Sequence, residues 1–287
     1  MMKRVLVTGS SGFLGVSVCK EFEISGYVVN TFDISEGQDI LCFEQVVSAL
    51  EGQDICIHLA AVADLYNADL DPEQCKNINV NGTSNIAQAC RKTGVRLLYA
   101  STCCAYGNNG VAISDEYSPV APTELYAETK LRGERVIEES GCDYNLLRLA
   151  TFYGPLMRKS LATSVFLEKN ISGQVIEIHG DGNQTRCYTH VEDIASGICI
   201  VAGNTNAPRV INISDDIPYS VNELVNVISG ITKLKPEVKH VEDRVGQIRS
   251  SIISANILKN LGWKPRWNLS TGLTDCFNKL NSRGFLS

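Results

Sequence analysis

The stretch Val5-Leu6-Val7-Thr8-Gly9-Ser10-Ser11-Gly12-Phe13-Leu14-Gly15 decides how the rest of this chain can fold. A short apolar run is broken by glycines at fixed spacing and then takes up a helical pattern, which reads as strand, tight turn and helix. Gly9 makes the turn, Gly12 lets bare backbone approach a pyrophosphate, and Gly15 lets the helix sit close on its strand. The unpaired N–H groups and positive dipole end of that helix, which opens at Phe13 and Leu14, suit a phosphate anion.

The next stretch narrows the ligand. A helix runs from Phe13 to Ser25, Gly26 ends it, and Tyr27-Val28-Val29-Asn30-Thr31-Phe32 is a second β-rich run closing on Asp33-Ile34. An acid at the end of the second strand of such a βαβ unit accepts both hydrogen bonds of an adenosine ribose and repels a 2′-phosphate. No arginine directly follows Asp33 to neutralise that phosphate. The reading is therefore NAD rather than NADP.

With 287 residues the chain has material for one large domain or two interleaved ones. Its 26 basic and 32 acidic residues give a net charge of −6 with no basic run, which argues against nucleic acid or a membrane surface as partner. A polyanionic ligand would need locally placed arginines. The opening apolar run stops at Thr8-Gly9, too short for a signal peptide, and no later run approaches a membrane span. The 11 cysteines are scattered, odd in number and without a C-x-x-C pair. No metal site or disulfide framework is expected, and reduced thiols fit a cytoplasmic protein.

Further along, a helix from about Phe43 to Leu50 leads into the apolar strand Ile55-Cys56-Ile57-His58-Leu59, and the small residues Ala60-Ala61 leave room there for a flat ligand. His58, alone in an apolar strand, reads as a core residue. Asp71-Pro72 opens a long helix to about Thr93, ended by Gly94. The strand Val95 to Ala100 delivers Ser101-Thr102-Cys103-Cys104-Ala105-Tyr106-Gly107 to the carboxyl edge of the sheet, where open α/β sheets bind ligands. A helix beginning near Pro122 carries Tyr126 and Lys130, and Asn145 to Leu149 is the next strand. Past Thr151 the alternation loosens into a helix near Ala162–Ile171, a strand Val175–His179 and a turn at Gly180-Asp181-Gly182.

Tyr126 and Lys130 lie four apart on a helix, so both side chains share a face. A phenol titrating at about 10 is a poor base at neutral pH. An adjacent ammonium and a positive nicotinamide ring both favour phenolate and bring it toward a useful acid–base range. Thr102, from a neighbouring strand end, can hydrogen-bond the same substrate hydroxyl and orient it.

Taken in order, these stretches resemble the extended short-chain dehydrogenase/reductase family, in particular its NAD-dependent nucleotide-sugar epimerases and dehydratases of the UDP-glucose 4-epimerase-like kind. The family's T-G-x-x-G-x-x-G appears as Thr8 to Gly15, its D-I as Asp39-Ile40, its H-L-A-A as His58 to Ala61 and its N-V-x-G-T as Asn79 to Thr83. Ser101 to Gly107 is similar to S-[ST]-x-x-x-Y-G, and Tyr126 to Lys130 to Y-x-x-x-K. Arg148 to Pro155 resembles R-Y-F-N-V-Y-G-P, Gly180 to Arg186 resembles G-D-G-x-Q-x-R, Arg244 and Gly246 resemble R-x-G, and Leu261 to Pro265 resembles L-G-W-x-P. Thr151 stands where the motif has Asn, Cys187 where it has Asp, and Gln247 where an acid usually follows the glycine.

The resemblance implies an α/β fold with a doubly wound parallel (Rossmann) sheet over residues 1–151 that holds NAD, with segments of about 186–213 packing back on it. Residues 152–287 would form a smaller α/β lobe for a nucleotide-diphosphate sugar. It implies cofactor contacts at Gly9, Gly12, Phe13, Leu14, Gly15, Asp33, Ile34, Asp39, Ile40, Leu59, Ala60, Ala61, Ala100, Tyr126 and Lys130. Substrate contacts would come from Thr102, Cys103, Thr151, Arg186, Arg244 and Gln247. The expected reaction is epimerisation at C4 through a transient 4-keto sugar, with Tyr126, Lys130 and Thr102 catalytic, in a homodimer. Cys104 aligns with the acid–base cysteine of the family's C3/C5 epimerases, so that chemistry, or elimination by a 4,6- or 5,6-dehydratase, is the alternative. A non-catalytic NAD-sensing scaffold is a further one.

Overall fold

The opening stretch folds as read: β1 (Arg4–Thr8) ends at Gly9, and α1 (Phe13–Ile24) starts after Gly12. In the computed structural model, which describes residues 2–63, 65–109, 112–243 and 248–282, β2 (Val28–Phe32), α2 (Phe43–Leu50), β3 (Ile55–His58), α3 (Leu65–Leu70), α4 (Pro72–Lys76), α5 (Thr83–Thr93), β4 (Arg96–Thr102), α6 (Leu125–Ser140) and β5 (Tyr144–Leu149) follow. The remaining elements are β6 (Thr151–Tyr153), α7 (Ala162–Ile171), β7 (Ile176–His179), β8 (Thr185–His190), α8 (Val191–Gly203), β9 (Val210–Ile213), β10 (Pro218–Ser220), α9 (Val221–Thr232), β11 (Val238–Val241), β12 (Ser250–Ser251), α10 (Asn256–Asn260) and α11 (Leu269–Asn281).

The main sheet has 6 parallel strands in the order β2-β1-β3-β4-β5-β9. It is the doubly wound parallel sheet expected. The winding reverses between β1 and β3, and a crevice opens at their carboxyl ends. Such strands must be apolar on both faces, and all four residues of β3 are buried. One face carries α1, α8 and Trp263 in a core with Val5, Val7 and Ile57. The other carries α2, α5 and α6 around Leu6, Leu97 and Tyr99.

A second core gathers Tyr153, Phe166, Ile176, Tyr188, Leu224 and Leu273. There β8 pairs with β6, β10 and β12, and β7 pairs with β11. The chain crosses back in between, since α8 lies on α1 and β9 completes the main sheet. Near the end, Trp263 donates its indole N–H to the Asp193 carbonyl at 3.1 Å, which pins the tail to α8.

The long helix anticipated from Asp71 to Thr93 is interrupted: residues Asn77–Gly82 between α4 and α5 wind as a π-helix. Asn79 explains the wider turn. Its fully buried amide takes the Val62 N–H at 2.8 Å and donates to the Val62 carbonyl and Thr129 hydroxyl, both at 3.0 Å. An inserted residue that aims a polar side chain inward is a recognised use of such a bulge. Helix α3 was not anticipated from the sequence.

His58 is fully buried, with Nδ1 2.7 Å from Thr8 Oγ1 and Nε2 3.1 Å from Thr83 Oγ1. It is a core residue, as its apolar setting suggested. Burial, with Lys130 adding to it, lowers its pKa from 6.5 to about 3, and burial lowers His190 from 6.5 to about 4. Between those values the unfolded chain binds more protons than the folded one. The contribution of these two imidazoles to stability is therefore expected to be fully present above about pH 6.5 and to be lost as the pH drops toward 4. Thermal melts across that range check it, and a melting temperature that stays level in the acid would contradict it.

Candidate active site

The cofactor cradle starts from a close backbone contact. Gly9 takes a φ of +70°, and a Cβ on Gly15 would lie 2.1 Å from the Gly9 carbonyl oxygen, so only glycine lets α1 reach this position. The α1 N-cap is Gly12, with no side chain closing the helix end. Ser10 Oγ is buried beside it with no hydrogen-bond partner among the described residues. Phe13 stacks on Phe152 at 5.7 Å between ring centroids.

At the end of β2, Asp33 Oδ2 accepts the Ser11 N–H at 2.9 Å and Oδ1 accepts the Ser35 N–H at 3.0 Å. Burial works to raise this carboxyl, but those N–H groups and the Ser35 hydroxyl outweigh it and hold it below its ordinary value. Ile34 is exposed next to it, while Asp39 takes the Leu41 N–H at 2.9 Å and half-buried Leu59, Ala60 and Ala61 line the end of β3. The side chains of Leu14, Ile40 and Ala100 lie in the cores, so only their backbone is left to face the crevice. An uncapped helix end, an orphaned hydroxyl and a fixed carboxylate fit the pyrophosphate and ribose of NAD.

Tyr126 and Lys130 rise from the first turns of α6 toward the end of β4. The Thr102 hydroxyl accepts the Cys104 N–H at 3.1 Å and stands close enough to the Tyr126 phenol and the Cys104 thiol to act on both. Lys130 is buried, with its ammonium 4.2 Å from the centre of the Tyr99 ring. Burial lowers it to about 7, with the Glu134 carboxylate and Cys75 acting the other way. Burial pushes the Tyr126 phenol up, and so does Cys104, while Arg158 and the Thr102 hydroxyl act to lower it. Burial also raises the Cys104 thiol, against Thr102 and Arg186.

The substrate side is less uniform. Half-buried Thr151 opens β6 opposite Tyr188, and Arg186 donates to the Thr185 carbonyl at 2.7 Å with its charge acting on Cys104. Cys103, expected among the substrate contacts, turns its side chain away: the 3₁₀ turn after Thr102 aims it into the core, where its thiol donates to the Arg148 carbonyl at 3.1 Å. Arg244 and Gln247 lie outside the described residues. Two features were not read from the sequence. Arg158 acts on Tyr126 from the turn after Pro155 and carries no periodic signal. Glu134 stands four residues after Lys130, a spacing that could have found it.

The sequence profile of the NAD-dependent epimerase/dehydratase family matches residues 5–214. A putative UDP-glucose 4-epimerase of Methanocaldococcus jannaschii is 28% identical over 305 residues, covering 97% of this chain and 99% of that one. UDP-glucuronic acid decarboxylase 1 of Xenopus tropicalis is 26% identical over 94% of this chain and 70% of its own. The solved structure of MoeE5 with UDP-glucuronic acid and NAD superposes with a TM-score of 0.89 at 28% identity, covering 98% of this chain and 99% of that one.

Asp33→Ala is expected to weaken NAD binding by roughly ten- to hundredfold, the worth of charge-assisted hydrogen bonds, and to narrow the preference over NADP. Calorimetric dissociation constants for both nucleotides check this. NADP bound as tightly as NAD by the unaltered protein would contradict it.

Proposed function

The chain belongs to the NAD-dependent epimerase/dehydratase family, and from that premise we propose that it inverts C4 of a nucleotide-activated sugar through a transient 4-keto intermediate. One observation carries the choice within the family. Thr102, Tyr126 and Lys130 make up the residue types of a hydride-transfer set, while Cys103 faces the core and burial raises the Cys104 thiol, which disfavours a thiolate base beside them.

Bound NAD supplies a hydride acceptor that also returns the hydride. The chain's own residues handle the proton. The Thr102 hydroxyl orients the C4 hydroxyl, and Tyr126 Oη takes its proton as the carbonyl forms. Because burial makes this phenol a weaker acid than usual, positive charge must favour its phenolate: Arg158 acts on it, Lys130 lies one helical turn away, and bound NAD would add the charge of its nicotinamide. Arg186 supplies local charge for a diphosphate in a chain of net charge −6. Tyr126 then gives the proton back to O4 after the sugar has turned its other face.

Tyr126→Phe is expected to retain NAD and lose turnover by roughly 10²–10⁴-fold, the usual worth of a general acid–base group. Bound NAD measured by absorbance and product measured by NMR check the two halves, and a near-normal rate would remove Tyr126 from its role. In D₂O the product sugar carbons are expected to stay free of deuterium, since direct hydride return exchanges none. Deuterium at C3 or C5 that disappears in Cys104→Ala would replace this reading with carbon-acid chemistry at Cys104.

A further inference from the structure

Three residues share one face of α6 at four-residue intervals: Tyr126, Lys130 and Glu134. The third is buried and tightly held. Glu134 is 3% exposed, and its two oxygens accept Arg148 Nη2 at 2.8 Å and Arg148 Nε at 3.1 Å. The Ser101 hydroxyl donates to the same carboxylate at 2.5 Å. Arg148 is 7% exposed and also donates to the Tyr106 hydroxyl at 3.2 Å, which in turn donates to Asn212 at 2.7 Å. Ordering a carboxylate this way, deep in the protein and one turn from a buried ammonium, has an electrostatic consequence.

The groups around Lys130 come from four elements: Glu134 of α6, the Tyr99 ring of β4, His58 of β3 and Cys75 of α4, with Tyr126 one turn back on the same face of α6. His58 is held neutral, and burial raises the Tyr99 phenol and the Cys75 thiol. Among the described residues this leaves Glu134 as the carboxylate acting on Lys130. A buried ion pair kept for stability alone is replaceable by apolar side chains at little cost, because desolvation consumes most of its Coulomb gain. A carboxylate that also serves a neighbouring cation is not replaceable in that way.

We propose that Glu134 is a positioning residue for the reaction: fixed by Arg148 and Ser101, its carboxylate is the counter-charge that keeps Lys130 an ammonium beside Tyr126. This rests on Tyr126 being the acid–base group. Without Glu134 the Lys130 site is too apolar to hold a proton near neutrality, the positive charge one helical turn from Tyr126 is lost, and the alkaline limb of activity moves to lower pH.

The test is titration of Lys130 in NAD-loaded protein carrying ¹³Cε-lysine, its resonance assigned through Lys130→Arg, with kcat/KM followed against pH in parallel. Glu134→Gln is compared with the double variant Glu134→Gln/Arg148→Met, which also removes the stranded guanidinium and decides the matter if the single variant does not fold. In both, the Lys130 midpoint is expected to fall by about one pH unit or more, the worth of an adjacent opposite charge. The alkaline limb of kcat/KM should fall with it, while the double variant melts near the unaltered protein. An unmoved Lys130 midpoint overturns the proposal, and so does a double variant that fails to fold, since the pair would then be kept for stability. A lowered midpoint in a protein that turns over no nucleotide sugar fails the epimerase reading and supports this one.

Discussion

Backbone touches backbone where the turn after β1 meets the first turn of α1, and the rest of the site is positioned from that contact. A single methyl group on Gly15 would lie 2.1 Å from the Gly9 carbonyl oxygen and 2.6 Å from that of Ser10. With no side chain between them, the helix end sits directly over the carboxyl edge of the sheet. Ser11 is thereby brought close enough to donate to Asp33, so the phosphate end and the ribose end of the cradle are fixed to each other. The Asn79 clamp on Val62 holds the third wall, the segment after β3, in the same frame.

Burial then dictates the charge states in the crevice. It raises Tyr126 and Cys104 and lowers Lys130, so each of these groups is pushed toward its neutral form. Proton transfer at such a site depends on fixed charges that offset desolvation. The structure supplies them sparingly: the Glu134 carboxylate for Lys130, and the guanidinium groups of Arg158 and Arg186 for Tyr126 and Cys104. An acidic chain with a few well-placed cations can therefore take a polyanionic substrate without a basic surface.

Local signals were legible where one residue type meets one geometric need. Gly9 and Gly15 answer a positive φ and a close approach, Asp33 ends its strand, and the apolar run of β3 is buried throughout. The motif Asn79 to Thr83 was legible only as a pattern. Its reasons are spread through space: Asn79 binds Val62, Gly82 leaves room for the Ile40 side chain, and Thr83 meets His58. Those contacts join residues far apart in the chain, and the π-helical winding they require has no period of its own to read.

Sequence by itself determined the βαβ start, the acid Asp33 at the end of the second strand, the shared helix face of Tyr126 and Lys130, and the core role of His58, because each depends on spacing within one element or on a residue against its immediate neighbours. Tertiary structure alone decided that adjacent Cys103 and Cys104 part ways, one thiol bonded to the Arg148 carbonyl and the other left near Thr102 and Arg186. It also decided that Arg158 acts on Tyr126 and that Glu134 is locked to Arg148 while its charge acts on Lys130. Direction at a turn and the field of a charge are properties of distance in space, and β4, β5, α6 and the turn after β6 come together only when the sheet has formed.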